Sequence, residues 1–559
     1  MSETNGSVLN FTRDAAFINR RAQLRRDSGD DMEALRLFRR ACAEAPDRLD
    51  YRVDVAEMLN RMGCVRASYY EIVDIINDGL LDGADASDDE GYMEAVGAAL
   101  FGQACNLSSL GFTASAIDLI NRARRYPRDE ADMDSLNELY TQLIARELTP
   151  NGLRTKERFI RKLHMYAESG NTRRAYALAR RYLKHNDKRP LAHAAMAWAE
   201  MLRGNQPESM EHLVRALAMT KRDPWVLSIA ARILIAGERG QAQPALESAF
   251  AVSEGPECDE VLLRQAITLG MDYLALDISG RLLENAPGDP YFSACNAAAL
   301  INTGASARSA LNVMRRSLDI YPGDITARHY VKLISDTMPD CAPIKYPDQE
   351  MLEAWARTVA DLRIMLIASA GGVIPKYDDE MTDTLEWGLY FRDDDISASS
   401  AALLAHAGSE RARKALWRFL ASYDSSDDHR IAAMELMSAS DMALPRLIFL
   451  RDKLRPLNET TLCRIMAQSE SRLDIRVAAR RLREHPKAIV SLRTLAFFSE
   501  GSGQDARLNA NALECAYRIT HGEALNLRTI AKKRRLNCAK FTRAVYSLIH
   551  ISHPQEDLQ

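Results

Sequence analysis

Small and apolar residues recur along the first 338 residues at steps of three and four, which places them on one face of an α-helix. The stretch MEALRLFRRACAEAP sets Ala34, Phe38 and Ala41 on one face, with Pro46 five residues further on. YLALDISGRLLENAP repeats the arrangement with Ala275, Ser279, Leu282 and Pro287, and SALNVMRRSLDIYP repeats it with Ala310, Met314, Ser317 and Pro322. The steps are 4, 3 and 5 in all three. A glycine precedes the first alanine by five residues at Gly29 and Gly270, and the same step recurs at Gly111–Ala116, Gly170–Ala175 and Gly240–Ala245. Gly63 and Gly204 hold the same slot before weaker matches. Each glycine is expected to end one helix in a left-handed conformation. The small residues let a neighbouring helix approach, and the proline cannot continue the second helix.

These positions resemble the tetratricopeptide repeat, a helical hairpin of about 34 residues. The resemblance covers roughly Ala15 to Asp336 as eight or so units, with LLDGADASDD (Leu80 to Asp89) as an expanded loop. It implies a right-handed superhelix, residues 15–338, whose groove takes a peptide or a helix of a partner protein. The Lys, Asn and Arg set with which one subclass clamps a C-terminal carboxylate is not found. The segment Arg154 to Lys188 is basic, with only Glu157, Glu168 and Asp187 as acids. It reads as a solvated helix face or as a groove wall for an acidic segment.

Around CAPIKYP (Cys341 to Pro347) the periodicity breaks, so residues 339–350 are expected to form a linker. Beyond it, DHRIAAMEL and DIRVAARRL share Asp428/Asp474, Arg430/Arg476, Ala432/Ala478, Ala433/Ala479 and Leu436/Leu482. An acid opening a helix would satisfy its free N–H groups, the Arg could reach an acid of the next hairpin, and the Ala pair would allow close packing. The pair is similar to HEAT-type repeats, which implies a second helical solenoid segment over residues 351–505. A generic amphipathic helix pair remains the alternative.

The tail, residues 506–553, reads as three helices. Ile530, Ala531, Leu536, Phe541, Ala544 and Leu548 would form its interior, and LNCAKFTRAVYSL resembles the second half of bacterial helix-turn-helix motifs. That resemblance implies a third helix presenting Asn537, Ala539, Thr542, Arg543 and Tyr546 to a DNA major groove. Arg543 would contact a guanine, while Lys532, Lys533, Arg534 and Lys540 would hold phosphates. Arg535 stands where the motif usually has Gly, and a left-handed Arg there costs about 1 kcal/mol. The alternatives are a hairpin that caps the solenoid, or a basic hairpin that binds RNA or an acidic protein.

Composition narrows the choice of function. The chain has 559 residues, 47% hydrophobic and 27% charged, with a net charge of −4. It is therefore not a polybasic binder as a whole, and any nucleic-acid contact must be local. The nine cysteines stand singly, which suits small apolar residues in a reducing compartment. The start lacks a basic region followed by an apolar core, and Ile364 to Pro375 is too short to span a bilayer. A cytoplasmic protein with no membrane contact is expected. No phosphate-binding glycine loop, HExxH or GxSxG is present, and His550 with His553 is a weak metal signal. The expectation is an all-α chain with short irregular ends at 1–14 and 554–559, and with no cofactor, metal or small-molecule substrate. Its expected role is a non-catalytic interaction scaffold, and the alternative is a regulator whose tail binds DNA.

Overall fold

The computed structural model describes residues 14–457 and 506–552, apart from 80–88, 127–129, 149–152, 338–341, 369–376 and five single positions, plus isolated residues between 457 and 506. Both irregular ends, most of the Leu80–Asp89 loop and most of the Asp474–Leu482 copy lie outside the described residues. The chain divides into two compact units, Met1–Pro375 with Arg392–Asp394, and Lys376–Phe391 with Asp395–Gln559.

The first unit is a stack of helical hairpins. Three come first: α1 (Ala15–Asp27) with α2 (Asp31–Glu44), α3 (Leu49–Arg61) with α4 (Val65–Asn77), and α5 (Glu90–Ser109) with α6 (Thr113–Ala123). An inserted helix, α7 (Glu130–Leu148), precedes α8 (Leu153–Glu168) with α9 (Thr172–His185) and α10 (Pro190–Leu202) with α11 (Gln206–Met219). Then come α12 (Pro224–Gly237) with α13 (Arg239–Ala251), α14 (Pro256–Leu269) with α15 (Asp272–Asn285), and α16 (Pro290–Asn302) with α17 (Ala307–Ile320). Two further helices, α18 (Ile325–Thr337) and α19 (Pro347–Ala368), complete the unit. This is the all-α repeat solenoid that the tetratricopeptide resemblance implies.

The turns follow from the glycines. Gly29 at φ 80° and Gly270 at φ 71° stand between the two helices of their hairpins, a conformation that costs a Cβ-bearing residue about 1 kcal/mol or more. Gly240 differs: α12 already ends at Gly237, and Gly240 lies inside the first turn of α13. The repeated small and apolar residues form the core. Ala34, Phe38, Ala41, Ala275, Ser279, Leu282, Ala310, Met314 and Ser317 are all buried. Burying a side chain such as Phe38 contributes about 1.5–3 kcal/mol. Pro46, Pro287 and Pro322 each follow a second helix by two residues, in the turn before the next hairpin.

The two ends of this stack meet. Ile320, the last residue of α17, is buried among Ile18, Leu35, Phe38 and Tyr51 of the first two hairpins. Arg39 donates to the carbonyls of Asp319 and Ile320, which α17 leaves without partners at its C-terminus. Arg36 pairs with Asp319 at 2.8 Å, and the Cys64 thiol donates to the Pro287 carbonyl at 3.3 Å. No local sequence pattern announces these contacts, because their partners are more than 220 residues apart.

Residues 342–346, expected as part of a linker, form a strap against the last hairpins, and helix resumes at Pro347. Ile344 and Tyr346 are buried in the same core as α14 to α18. The break in periodicity is real, but these residues pack on the repeats instead of spacing two segments apart.

The second unit contains α20 (Asp379–Leu389), α21 (Asp394–Ala407), α22 (Glu410–Ala421) and α23 (Asp427–Ala439), then a hairpin of β1 (Leu447–Leu450) and β2 (Lys453–Pro456). It ends in α24 (Ala506–Thr520), α25 (Leu527–Arg534) and α26 (Cys538–Ser552). The β-hairpin departs from the all-helical reading of residues 351–505. All four residues of β1 are buried, so the strand lacks the alternation that would reveal it. Its turn residues Arg451 and Asp452 both have positive φ, as a two-residue hairpin loop demands, without the usual Asn or Gly. Asp427 joins helix to hairpin by accepting from the Arg451 N–H at 3.2 Å. Ser426, not Asp428, caps α23. The buried Arg430 pairs with Asp427 of its own helix at 2.8 Å, and its guanidinium lies over the Phe449 ring of the β-hairpin at 5.4 Å.

Candidate functional site

Four successive first helices, α10, α12, α14 and α16, open on a proline: Pro190, Pro224, Pro256 and Pro290. Proline suits this position because its missing N–H has no intrahelical partner there. Counting from it, the ninth position holds Trp198, Arg232 and Arg264 in the first three. Equal positions in stacked hairpins fall in one row. Arg232 lies over the Trp198 ring at 4.8 Å, and Arg264 lies over Tyr291 of α16 at 5.3 Å. His164 of α8 meets Trp198 edge-on at 4.6 Å and Trp225 at 5.9 Å. Burial pulls the Arg232 guanidinium down to about 10, and Arg264 adds repulsion. The result is a half-buried band of cations stacked on aromatic faces. Sequence reading missed it, although the Pro-to-aromatic-or-Arg step of eight residues recurs in the sequence at about one repeat length.

The strap meets the solenoid at the Tyr291 end of this band. The Asn302 side chain brackets Ile344, accepting from its N–H at 3.0 Å and donating to its carbonyl at 3.2 Å. The Tyr330 hydroxyl donates to the Lys345 carbonyl at 2.7 Å. Tyr346 donates to Asp272 at 2.6 Å, and Tyr291 donates to Asp348 at 3.1 Å. Burial and the Asp272 bond raise the Tyr346 phenol, and burial raises that of Tyr291, so both stay donors.

Of the residues expected to mark repeats, Ala34, Phe38, Ala41, Ala275, Leu282, Ala310 and Met314 are buried in the core, while Gly29, Pro46, Gly270 and Pro322 are exposed in turns and Pro287 is half-buried. Of the basic segment, Arg173, Arg180, Arg181 and Lys184 stand exposed on α9, a second helix of its hairpin.

In the tail, α25 is capped by Asn526, whose side chain accepts from the Thr529 N–H at 3.0 Å. Arg535 is left-handed at φ 54°, ψ 48°, and the chain then turns into α26. Ala531 and Phe541 are fully buried, with Leu527, Val545, Leu548 and Ile549 around them, while Ile530, Leu536 and Ala544 are half-buried. Lys532, Lys533, Lys540, Arg543 and Tyr546 are exposed, and Thr542 is half-buried. Cys538, Ala539, Thr542, Arg543 and Tyr546 line one open depression together with Arg528, which sequence reading did not single out. Two expected contacts are otherwise engaged. Arg534 forks onto the buried Glu514 at 2.7 and 2.9 Å and onto Asn511 at 2.6 Å, so its guanidinium ties α25 to α24. Asn537 caps α26 through the Lys540 N–H at 3.0 Å.

Among the described residues no group of three or more His, Cys, Asp or Glu side chains could hold a metal, and no helix is long and apolar enough to cross a membrane. No family model matches the chain. No curated protein matches it in sequence. Among solved structures it is similar to the APC/C hetero-tetramer Cut9–Hcn1 at 11% identity, over 76% of this chain and 96% of that chain, with a TM-score of 0.28. It is also similar to Naa15/Naa10 bound to HypK-THB at 13% identity, over 96% of this chain and 75% of that one, with a TM-score of 0.21.

Proposed function

We propose that this chain is a non-catalytic interaction protein whose first unit binds a segment of a partner protein along the first-helix band. The observation that carries this reading is the repeated placement of Trp198, Arg232 and Arg264, with Tyr291 beneath the last cation. Arg and aromatic residues are the side chains that dominate binding energy at protein interfaces; here Arg232, Arg264 and Tyr291 are half-buried, and Trp198 is buried beneath Arg232. Two stacked cations select a segment that carries acids or aromatics. The test is selection of peptides from a displayed random library on the full chain, followed by affinity measurement against Arg232→Ala and Arg264→Ala. A loss of about tenfold or more is expected, equal to about 1.4 kcal/mol. If folded variants bind every selected peptide as well as the parent does, the band is not the site.

A second reading has its own support, in the tail. From Leu527 to Ser552 there is no acid, and the exposed cations Lys532, Lys533, Lys540 and Arg543 flank a helix–turn–helix with a left-handed turn residue. On this reading α26 enters a DNA major groove, with Arg543 and Tyr546 at base edges and the lysines on phosphates. Fluorescence anisotropy of the full chain with mixed duplex DNA tests it. Three phosphate-neutralising lysines give a log–log salt slope of about −2.7. Arg543→Ala and Lys532→Ala should each weaken binding, and Lys532→Ala should reduce the slope by about 1. Absence of binding at low salt removes this reading.

A further inference from the structure

The strap is an extended segment held by the repeats in the manner of a ligand. Its backbone is gripped from both sides of one residue, since Asn302 both accepts from and donates to Ile344. A second backbone contact, Tyr330 to the Lys345 carbonyl, follows at the next residue. Such contacts recognise an extended chain of any sequence. Side chains then alternate as an extended backbone requires: Ile344 and Tyr346 are buried, while Lys345 points out to pair with Glu353. The Tyr346 phenol ends on Asp272, and Asp348 meets Tyr291, the aromatic that lies beneath Arg264.

We infer that residues 342–348 occupy, in cis, one end of the partner-binding surface, and that this subsite takes a segment reading aliphatic, any residue, aromatic in extended form, with an acid two residues later in the helical turn that follows. A partner segment of that pattern would displace the strap and continue along the band toward Arg232. The inference rests on the segment-binding reading proposed above. It adds the chemistry of the partner and a competing occupant. Held intramolecularly, the strap has a high effective concentration, so the unmodified chain should bind such a segment weakly.

The experiment uses the full chain and a fluorescein-labelled synthetic peptide, APIKYPDQE, corresponding to residues 342–350. Anisotropy is measured for the parent chain and for a chain carrying Ile344→Gly and Tyr346→Ala, with folding checked by circular dichroism. The loosened chain should bind the peptide at least tenfold more tightly than the parent. Adding Asn302→Ala should abolish the gain, and a peptide with Asp at both anchor positions should not bind. If the doubly substituted chain does not fold, Tyr346→Phe removes only the hydroxyl bond to Asp272, and a gain of about threefold is expected. No gain in the folded variants, or a gain that survives Asn302→Ala, overturns the inference and leaves the strap as a structural cap. Library peptides that respond to Arg232→Ala but not to loosening of the strap would overturn this inference and keep the broader reading. Peptides that respond to neither remove both.

Discussion

Changing Arg534 to Gln separates a structural cation from its surface neighbours. Glu514 is 3% exposed and receives two hydrogen bonds from Arg534, at 2.7 and 2.9 Å. Removing one partner of a fully buried pair costs about 3–5 kcal/mol, because the other charge stays buried without compensation. Here the Arg534 side chain is 30% exposed, and Arg518 remains 3.6 Å from the same carboxylate. The cost therefore falls to about 2 kcal/mol, solvent and Arg518 supplying the difference. Such a loss speeds amide hydrogen exchange that proceeds by opening of the tail about 30-fold. The assay is exchange of α24 to α26 amides in the full chain. Lys533→Gln is the control, since that side chain is exposed and should change exchange by less than about twofold. Glu514→Gln combined with Arg534→Gln should cost less than Arg534→Gln alone, because no buried charge is then stranded. If Arg534→Gln matches the Lys533 control, the pair does not hold the tail together and the argument fails.

Three more outcomes follow from the meeting of the solenoid's ends. Ile320→Ala should destabilise the first unit by about 3 kcal/mol through lost burial and a cavity, measured by urea unfolding. It should also speed exchange in α2, at the other end of the stack; unchanged α2 exchange would refute the contact. Gly288→Ala should cost more than about 1 kcal/mol, since Gly288 has φ 66° and an added Cβ would lie 2.6 Å from the Ile320 Cδ1. A variant with the parent's melting temperature would contradict that. Burial raises the Asp324 carboxyl to about 6 from 3.8. Its contribution to stability is thus fully present below about pH 4 and is lost as pH rises through about 6. Asp324→Asn should flatten the urea midpoint between those pH values, and an unchanged pH profile would exclude the residue as the source.

Much of the fold was legible because it depends on local sequence. The 4- and 3-residue steps around Phe38, Leu282 and Met314 name one helix face directly, and glycine at Gly29 or Gly270 marks a turn that other residues resist. The three-helix tail was legible for the same reason, down to the left-handed position at Arg535. The β-hairpin was not, because four consecutive apolar residues, 447–450, carry no strand period when both faces are covered.

The candidate sites divide in the same way. The sequence determined that Lys532, Lys533, Arg534 and Arg543 form a cationic stretch without acids. Only tertiary structure decided that Arg534 faces inward to Glu514 while its neighbours face solvent. It likewise decided that the prolines at 343 and 347 bracket a bound strap, and that Ile320 closes against Phe38. Helix and turn propensities act over a few residues and can be read in order along the chain. Which side chains share a partner across 20 or 280 residues depends on how the helices stack, and no local pattern encodes that.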